Sequence, residues 1–212
     1  MKKLPRPTLV LAVAFWVAVI WSAIFPYRLE AYLLEIVTPV LGFFLLLGTA
    51  RFLRFTDLAY GFMFLEGIIL LVGAHYTHER VPLFDWLKDA LGLERNHYDR
   101  FAHFCVGFFM AVPVRELLLR MSPLRGKWLF FFIVMGILGF AAFYEISEWW
   151  VAVLASPEAG AAYLGMQGDP WDAQKDMLLD GLGALVGVVA FSRLHDRALL
   201  ARGIDPQAST VS

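Results

Sequence analysis

This chain of 212 residues has little cysteine and almost no net charge. Its single cysteine, Cys105, excludes an internal disulfide framework and any metal site built from several cysteines. A formal net charge of -1 argues against nucleic-acid binding, because such proteins need a broad basic surface to neutralise phosphates. The length suits one compact unit without a separate soluble domain.

Apolar residues are what the chain has in abundance. They make up 59% of it, aromatic residues make up 16%, and the mean hydropathy is +0.64. Soluble domains are usually about 45–50% apolar. The composition therefore predicts an integral membrane protein with several spans.

Six apolar runs are each close to the roughly 20 residues that cross a bilayer as a helix. They cover approximately residues 8–25, 32–50, 58–74, 99–119, 128–150 and 172–194. No small-residue cleavage site follows the first run, so we predict a retained transmembrane helix and not a signal peptide. The prediction is one all-α domain over residues 1–200, with a polar outer loop at 75–98 and a flexible tail at 201–212.

Shorter signals lie between these runs. Residues 83–93 have helical spacing of their apolar side chains and predict an amphipathic surface helix. Residues 155–168 are expected to form a loop. Asp169 followed by Pro170 is typical of a helix start, with the aspartate as N-cap.

The 18 lysines and arginines predict the orientation in the membrane. With six spans, one side holds Lys2, Lys3, Arg6, Arg51, Arg54, Arg115, Arg120, Arg125, Lys127, Arg193, Arg197 and Arg202, and the other holds Arg28, Arg80, Lys88, Arg95, Arg100 and Lys175. The split of 12 against 6 places both termini in the cytoplasm. We accordingly expect a multi-pass protein of a bacterial inner membrane.

Ionisable side chains converge at the opposite, outer end of this arrangement. The third span ends at His75, the fourth begins with Asp99 and His103, the fifth ends with Glu145 and Glu148, and the sixth begins with Asp172, Asp176 and Asp180. Residues four apart share a helix face. Such groups are costly in lipid and commonly functional, so we expect them to face the bundle interior.

Imidazole and carboxylate together are ligands for zinc or manganese, whereas carboxylates alone favour magnesium. We therefore predict a site for a divalent metal (Zn, Mn or Mg). The predicted ligands are His75, His103, Glu145, Glu148, Asp176 and Asp180, and the predicted catalytic groups are His103, Asp176, Glu145, Asp180 and Asp99. The expected function is a metal-dependent enzyme acting on a membrane lipid or a lipid-linked envelope intermediate.

Two alternatives remain open. Without a metal, the same groups could share protons and serve a proton-coupled binding or transport protein for an amphiphile. Glu66, in the middle of the third span, is either a partner of Arg115 or part of a proton path. The second alternative is a structural protein whose polar network only fixes helix packing.

Several strings in the chain carry a family resemblance. They include Gly73-Ala-His-Tyr-Thr, Arg95-Asn-His-Tyr-Asp-Arg, Val114-Arg-Glu, Tyr144-Glu-Ile-Ser-Glu-Trp-Trp and Gly168-Asp-Pro-Trp-Asp-Ala-Gln-Lys-Asp. On these residues the chain resembles the YjdF family of bacterial inner-membrane proteins over nearly its whole length. It is more distantly similar to VanZ-like membrane proteins, whose order of Asp and His, then Glu, then an Asp series matches Asp99 and His103, then Glu145, then Asp172, Asp176 and Asp180. Neither resemblance implies a reaction.

Overall fold

The computed structural model describes residues 6–155, 157–164 and 166–208. Every regular element in these ranges is a helix, which confirms the all-α prediction. The helices are α1 (Arg6–Ser22), α2 (Leu29–Glu35), α3 (Val37–Thr49), α4 (Asp57–Tyr76), α5 (Pro82–Leu91), α6 (Tyr98–Met121), α7 (Gly126–Leu154), α8 (Pro157–Leu164) and α9 (Asp172–Leu200), with a 3-10 turn at His78–Arg80. Residues 209–212 of the predicted tail, and Lys2 and Lys3, lie outside the described ranges.

The six predicted spans all coincide with helices. Five stretches are long and apolar enough to cross a membrane, namely Leu29–Thr49, Asp57–Tyr76, Tyr98–Met121, Gly126–Leu154 and Asp172–Leu200. The first helix, α1, is apolar but has only 17 residues, or about 26 Å at the rise of an α-helix. The cytoplasmic placement of the termini stays a prediction.

The second span is broken into α2 and α3 at Ile36. Pro39 explains the break, because proline has no N–H to donate to the carbonyl of Glu35, four residues earlier. Glu35 ends α2 and is buried. The break thus leaves an acidic side chain inside the bundle.

One of the two linking segments differs from the sequence prediction. The predicted surface helix is present as α5, but the predicted loop at 155–168 contains α8. Gly160 explains the close packing of α8 on α7, because a side chain there would meet the backbone of Ala152. In the tail, Arg202 donates hydrogen bonds to the carbonyl of Phe55 at 2.5 Å and to Asp57 at 2.9 Å.

Helices α6 and α9 form the centre of the fold and run parallel. Contacts between them join residues 77 to 81 positions apart along their length, from Arg95–Asp172 to Arg115–Asp196. Glycines allow the close approach: a Cβ added at Gly107 would collide with the backbone of Asp180, and one at Gly183 with the backbone of Phe104. Both helices begin at the same end of the bundle, which we call the outer end.

Candidate functional site at the outer end

His103 lies at the centre of the acidic group at the outer end. It is buried on α6, and its Nδ1 lies 2.9 Å from Oδ2 of Asp180 on α9. A carboxylate can only accept a hydrogen bond, so Nδ1 carries the proton in this pair. Nε2 is then left with its lone pair free whenever His103 is neutral.

The free nitrogen lies near two further carboxylates, and a third is close to the ring. His103 Nε2 is 3.6 Å from Glu145 Oε1 on α7 and 3.9 Å from Asp99 Oδ1, one turn earlier on α6. Asp99, His103 and Asp176 each offer one ligand atom within 4.8 Å of the others'. We call Asp99, His103, Glu145, Asp176 and Asp180 the outer cluster.

Three oxygen atoms of the outer cluster are buried without a hydrogen-bond partner: Glu145 Oε1, Asp176 Oδ1 and Asp180 Oδ1. Asp176 and Asp180 are only 3% and 1% exposed. Burying a charged acceptor without a partner is costly, so the site is built to hold positive charge. That charge could come from a metal ion or from protons.

Positive ends of two helices also point to this region. Asp99 lies in the first turn of α6 and Asp172 in the first turn of α9, where the helix dipole favours negative charge. The sequence predicted Asp169 as the N-cap of the last helix. Instead, the helix begins at Asp172, and Asp169 Oδ1 accepts a hydrogen bond from the Trp171 amide at 3.1 Å in the preceding turn.

A cluster of five charged residues surrounds the start of α9, and we call it the rim: Arg95, Arg100, Asp169, Asp172 and Lys175. Arg95 binds both carboxylate oxygens of Asp172, and Arg100 and Lys175 each lie 2.5 Å from Asp169. The hydrogen bond from Lys175 lowers the pKa of Asp169 to about 2. These aspartates therefore do more than stabilise the start of α9: they tie it to α6.

Asn96 joins the rim to α5. Its backbone amide donates to Gln167 Oε1, and Gln167 Nε2 donates to the Asn96 carbonyl, both at 2.9 Å. Its side chain donates to Asp85 of α5 at 3.0 Å. One asparagine therefore fixes α5, the start of α6 and the segment before α9 relative to each other.

His75 occupies a different place from the one the sequence predicted. Its Nδ1 lies 3.0 Å from the Ser22 carbonyl, and its ring packs 4.8 Å from that of Trp21. Among the described residues, the group with ligand atoms close enough to share a metal contains Asp99, His103 and Asp176 and does not include His75 or Glu148. Glu145 and Asp180 each lie close to His103, but neither belongs to that group of three.

His78, which lies in the predicted outer loop at 75–98, forms an ion pair in the structure. Its Nδ1 lies 3.0 Å from Glu35 Oε2. Burial lowers the pKa of His78, but the charge of Glu35, with smaller contributions from Asp99 and Glu148, outweighs burial and raises the pKa to about 9.

Glu66 is buried in α4, and both of its carboxyl oxygens lack a hydrogen-bond partner. Arg115 is not its partner, although the sequence allowed that pairing. Arg115 instead donates to His195 at 2.9 Å and to Asp196 at 2.6 Å at the other end of the bundle. Glu66 therefore forms no ion pair with Arg115.

Sequence reasoning missed a second polar network at the inner end. Glu116 and His195 are both fully buried, and His195 Nε2 lies 3.2 Å from Glu116. Glu116 also accepts hydrogen bonds from the Thr56 amide and hydroxyl and from Arg120, at 2.7 to 3.0 Å. We call Thr56, Arg115, Glu116, Arg120 and His195 the inner network. The available signal was the pair of polar dipeptides, Arg115-Glu116 and His195-Asp196, at the ends of two spans.

Comparison with known proteins gives a consistent result. A family described as "Predicted membrane protein (DUF2238)" matches residues 7–197. The chain is 38% identical over 194 residues to a protein of Escherichia coli (strain K12) named "Inner membrane protein YjdF", covering 91% of this chain and 92% of that protein. No solved structure matches. The predicted family resemblance and the inner-membrane location are confirmed.

Proposed function

We propose that this chain, which belongs to the DUF2238 family of membrane proteins that includes YjdF, binds a divalent metal ion at its outer cluster. The ligands would be Asp99, His103 and Asp176. The metal would serve an enzyme that acts on a lipid or a lipid-linked substrate. The alternative roles differ in how they use the same carboxylates, and each has its own test.

The observation that carries this proposal is the pairing of His103 with Asp180. A histidine that binds a metal commonly donates its other ring N–H to a carboxylate, which fixes its orientation and raises its basicity. Asp180 accepts from Nδ1 at 2.9 Å, and Nε2 faces acidic oxygens at 3.6 and 3.9 Å. Two ligands about 2.1 Å from one tetrahedral ion are roughly 3.4 Å apart, so small movements would close the site.

The donor set favours particular metals and chemistry. One imidazole and two carboxylates suit zinc or manganese better than magnesium, which prefers oxygen ligands throughout. A bound ion would neutralise the acids and could polarise a phosphoryl or carbonyl group. Glu145, whose Oε1 is buried without a hydrogen-bond partner, would be the group that accepts a proton from the attacking water.

The position of the cluster supports a lipid-like substrate. Trp149 and Trp150 are exposed near the end of α7, one turn beyond Glu145, as expected for side chains at a membrane interface. The acids therefore lie at the depth where lipid headgroups meet the hydrocarbon region. A bond in a lipid headgroup would therefore lie within reach of the outer cluster.

Elemental analysis of the purified protein tests the metal. We expect near-stoichiometric zinc or manganese in the wild type and its loss in His103→Ala and Asp176→Ala. His97→Ala removes an imidazole near the rim and is expected to keep the metal, and His75→Ala decides whether the larger predicted ligand set is needed. A wild type that stays free of metal after incubation with both ions, or variants that retain it, would overturn the proposal.

A second candidate is proton-coupled binding or transport of an amphiphile, which the unpartnered carboxyl of Glu66 favours. Such a protein needs Glu66 to change its protonation state together with the outer cluster. Infrared difference spectra between pH 5 and pH 9 would show a carboxyl band that is lost in Glu66→Gln and shifted in Asp180→Asn. A spectrum unchanged in Glu66→Gln would exclude this role for Glu66.

A further inference from the structure

An apolar groove opens beside the outer cluster. It has a volume of about 600 Å³ and lies between the end of α7, helix α8 and the segment 166–170. Its walls include Trp149, Val153, Ala161, Leu164 and Met166. Trp149 and Val153 are 59% and 66% exposed, so the groove is open to the surface that surrounds the helices.

The groove ends at the rim. Gly168 and Pro170 line it, and Asp169 lies between them in the sequence. The rim holds three cations (Arg95, Arg100 and Lys175) and two carboxylates (Asp169 and Asp172), so its formal charge is 3 - 2 = +1. The groove therefore joins an apolar channel to a rim whose own charges sum to +1, one helical turn from the acids of the outer cluster.

Unused hydrogen-bond donors lie at the same place. Nε of Arg95 and Nε of Arg100 are buried without an acceptor, and Arg95 is only 8% exposed. The side chain of Lys175 is 47% exposed, and its ammonium, which donates to Asp169 at 2.5 Å, has two further N–H groups to offer a ligand. Arginine and lysine together are well suited to an anionic phosphate.

We propose that this groove binds an anionic phospholipid, with an acyl chain along α7 and α8 and the phosphate at Arg100 and Lys175. A volume of this size is typical of small-ligand sites, and the opening faces the bilayer, where acyl chains are the available apolar ligand. The charge of the rim selects an anionic headgroup over a zwitterionic one.

The same lipid would be delivered to the outer cluster. Asp172 of the rim and Asp176 of the cluster are four residues apart on α9, which is about 6 Å along the helix. A headgroup held at the rim therefore lies one turn from the proposed metal ligands. Lipid binding needs only the groove, whereas the lipid's role as a substrate rests on the proposed function.

Native mass spectrometry of the detergent-purified protein measures this binding. The probes are phosphatidylglycerol and phosphatidylcholine with identical acyl chains, added at equal concentrations. We expect phosphatidylglycerol to bind about fivefold more tightly than phosphatidylcholine. Lys175→Gln should remove most of that preference, and Ala161→Phe, which fills the groove, should weaken binding of both lipids about tenfold.

Two matched variants serve as controls at the other end of the bundle. Ala190→Phe adds the same ring to an exposed alanine of α9, and Lys127→Gln removes a lysine from the first turn of α7. Both should bind the two lipids as the wild type does. If Lys127→Gln reduced the preference as much as Lys175→Gln, general electrostatic attraction would explain the selectivity and the proposal would be wrong.

The remaining outcomes separate this proposal from the metal site. A wild type that prefers phosphatidylglycerol but holds no metal leaves the groove assignment standing and overturns the metal assignment. A wild type that holds metal but binds both lipids equally overturns the groove assignment alone. A dimer that dissociates in Ala161→Phe, with no lipid bound to the wild type, would show that a second copy of the chain fills the groove.

Discussion

Arg115 donates a hydrogen bond to Nδ1 of His195 at 2.9 Å. Arginine has no acceptor, so Nδ1 must accept, and Nε2 must carry the proton that it shares with Glu116. His195 is therefore held in one neutral tautomer between a cation and an anion, fully buried. This arrangement fixes α9 against α6 at the inner end.

Removing the anion of this network should be strongly destabilising. Glu116→Ala leaves the Thr56 amide, Arg120 and His195 without their shared acceptor, and we expect the free energy of unfolding to fall by roughly 3–5 kcal/mol. Thermal unfolding in detergent measures the change. Glu94→Ala removes an exposed glutamate and should change the midpoint little; equal effects of the two substitutions would contradict the structural role of Glu116.

The contact between α6 and α9 should tolerate no side chain at Gly183. A Cβ there collides with the backbone of Phe104, so Gly183→Ala forces the helices apart and should cost about 1–3 kcal/mol. Gly139→Ala is the matched control, because nothing lies within 4 Å of an added Cβ in α7. Thermal midpoints that are the same for both variants would show that the helices do not meet at Gly183.

Removing the charge of Asp180 should weaken metal binding without abolishing it. Asp180→Asn keeps the shape of the side chain but removes the charge that supports His103, and we expect zinc affinity to fall about 10- to 100-fold. Competition with a chelator of known affinity measures the change. Glu148→Gln, whose glutamate lies outside the ligand group, is expected to bind zinc as the wild type does. Unchanged affinity in Asp180→Asn would argue against His103 as a ligand.

The pair of His78 and Glu35 should make stability depend on pH. The folded-state pKa of His78 is about 9, above the unfolded value of roughly 6.5, so its contribution is complete below pH 6.5 and is lost as the pH rises through 9. The difference in unfolding midpoint between the wild type and His78→Gln should therefore shrink between pH 6.5 and pH 9.5.

His97 provides a control of opposite sign for that experiment. Partial burial, Arg100 and Arg95 lower the pKa of His97, so its contribution is present above pH 6.5 and is lost as the pH falls. The difference between the wild type and His97→Gln should stay constant over the range in which the His78 difference declines. A parallel decline in both variants would point to a general effect of pH on the fold.

The outer cluster was largely predictable because its residues follow helical spacing. Asp99 and His103 are one turn apart, as are Asp176 and Asp180, and both pairs stand at the start of a span. Because ionisable side chains are costly in lipid, they are expected to lie inside the bundle. The spacing does not say which span neighbours which, so the direct pairing of His103 with Asp180 needed the structure.

The different places of His75, in the last turn of α4, and His78, just after that helix, were not predictable. The helix ends at Tyr76, and Thr77, at φ 60°, turns the chain so that His78 returns over Gly73 toward Glu35. A Cβ at Gly73 would collide with the His78 ring, which explains why a glycine stands there. The sequence shows two histidines three residues apart and gives no direction for the turn between them.

The inner network was missed because charges near the end of a span usually face water. The sequence suggested Glu66 as the partner of Arg115. The glycines that bring α6 and α9 together, including Gly183 and Gly187 four residues apart, were the available signal. Had those glycines been used to pair the two spans, His195 would have stood opposite Arg115 and Glu116.

The parallel helices α6 and α9 are fastened at both ends, and this limits how the protein can move. Sliding one helix along the other by a single turn, about 5.4 Å, would break the contacts of Asp172, Asp180 and His195 together. The two helices therefore behave as one rigid unit with a fixed register and crossing geometry. Any opening of the bundle must therefore come from movement of the helices around this pair.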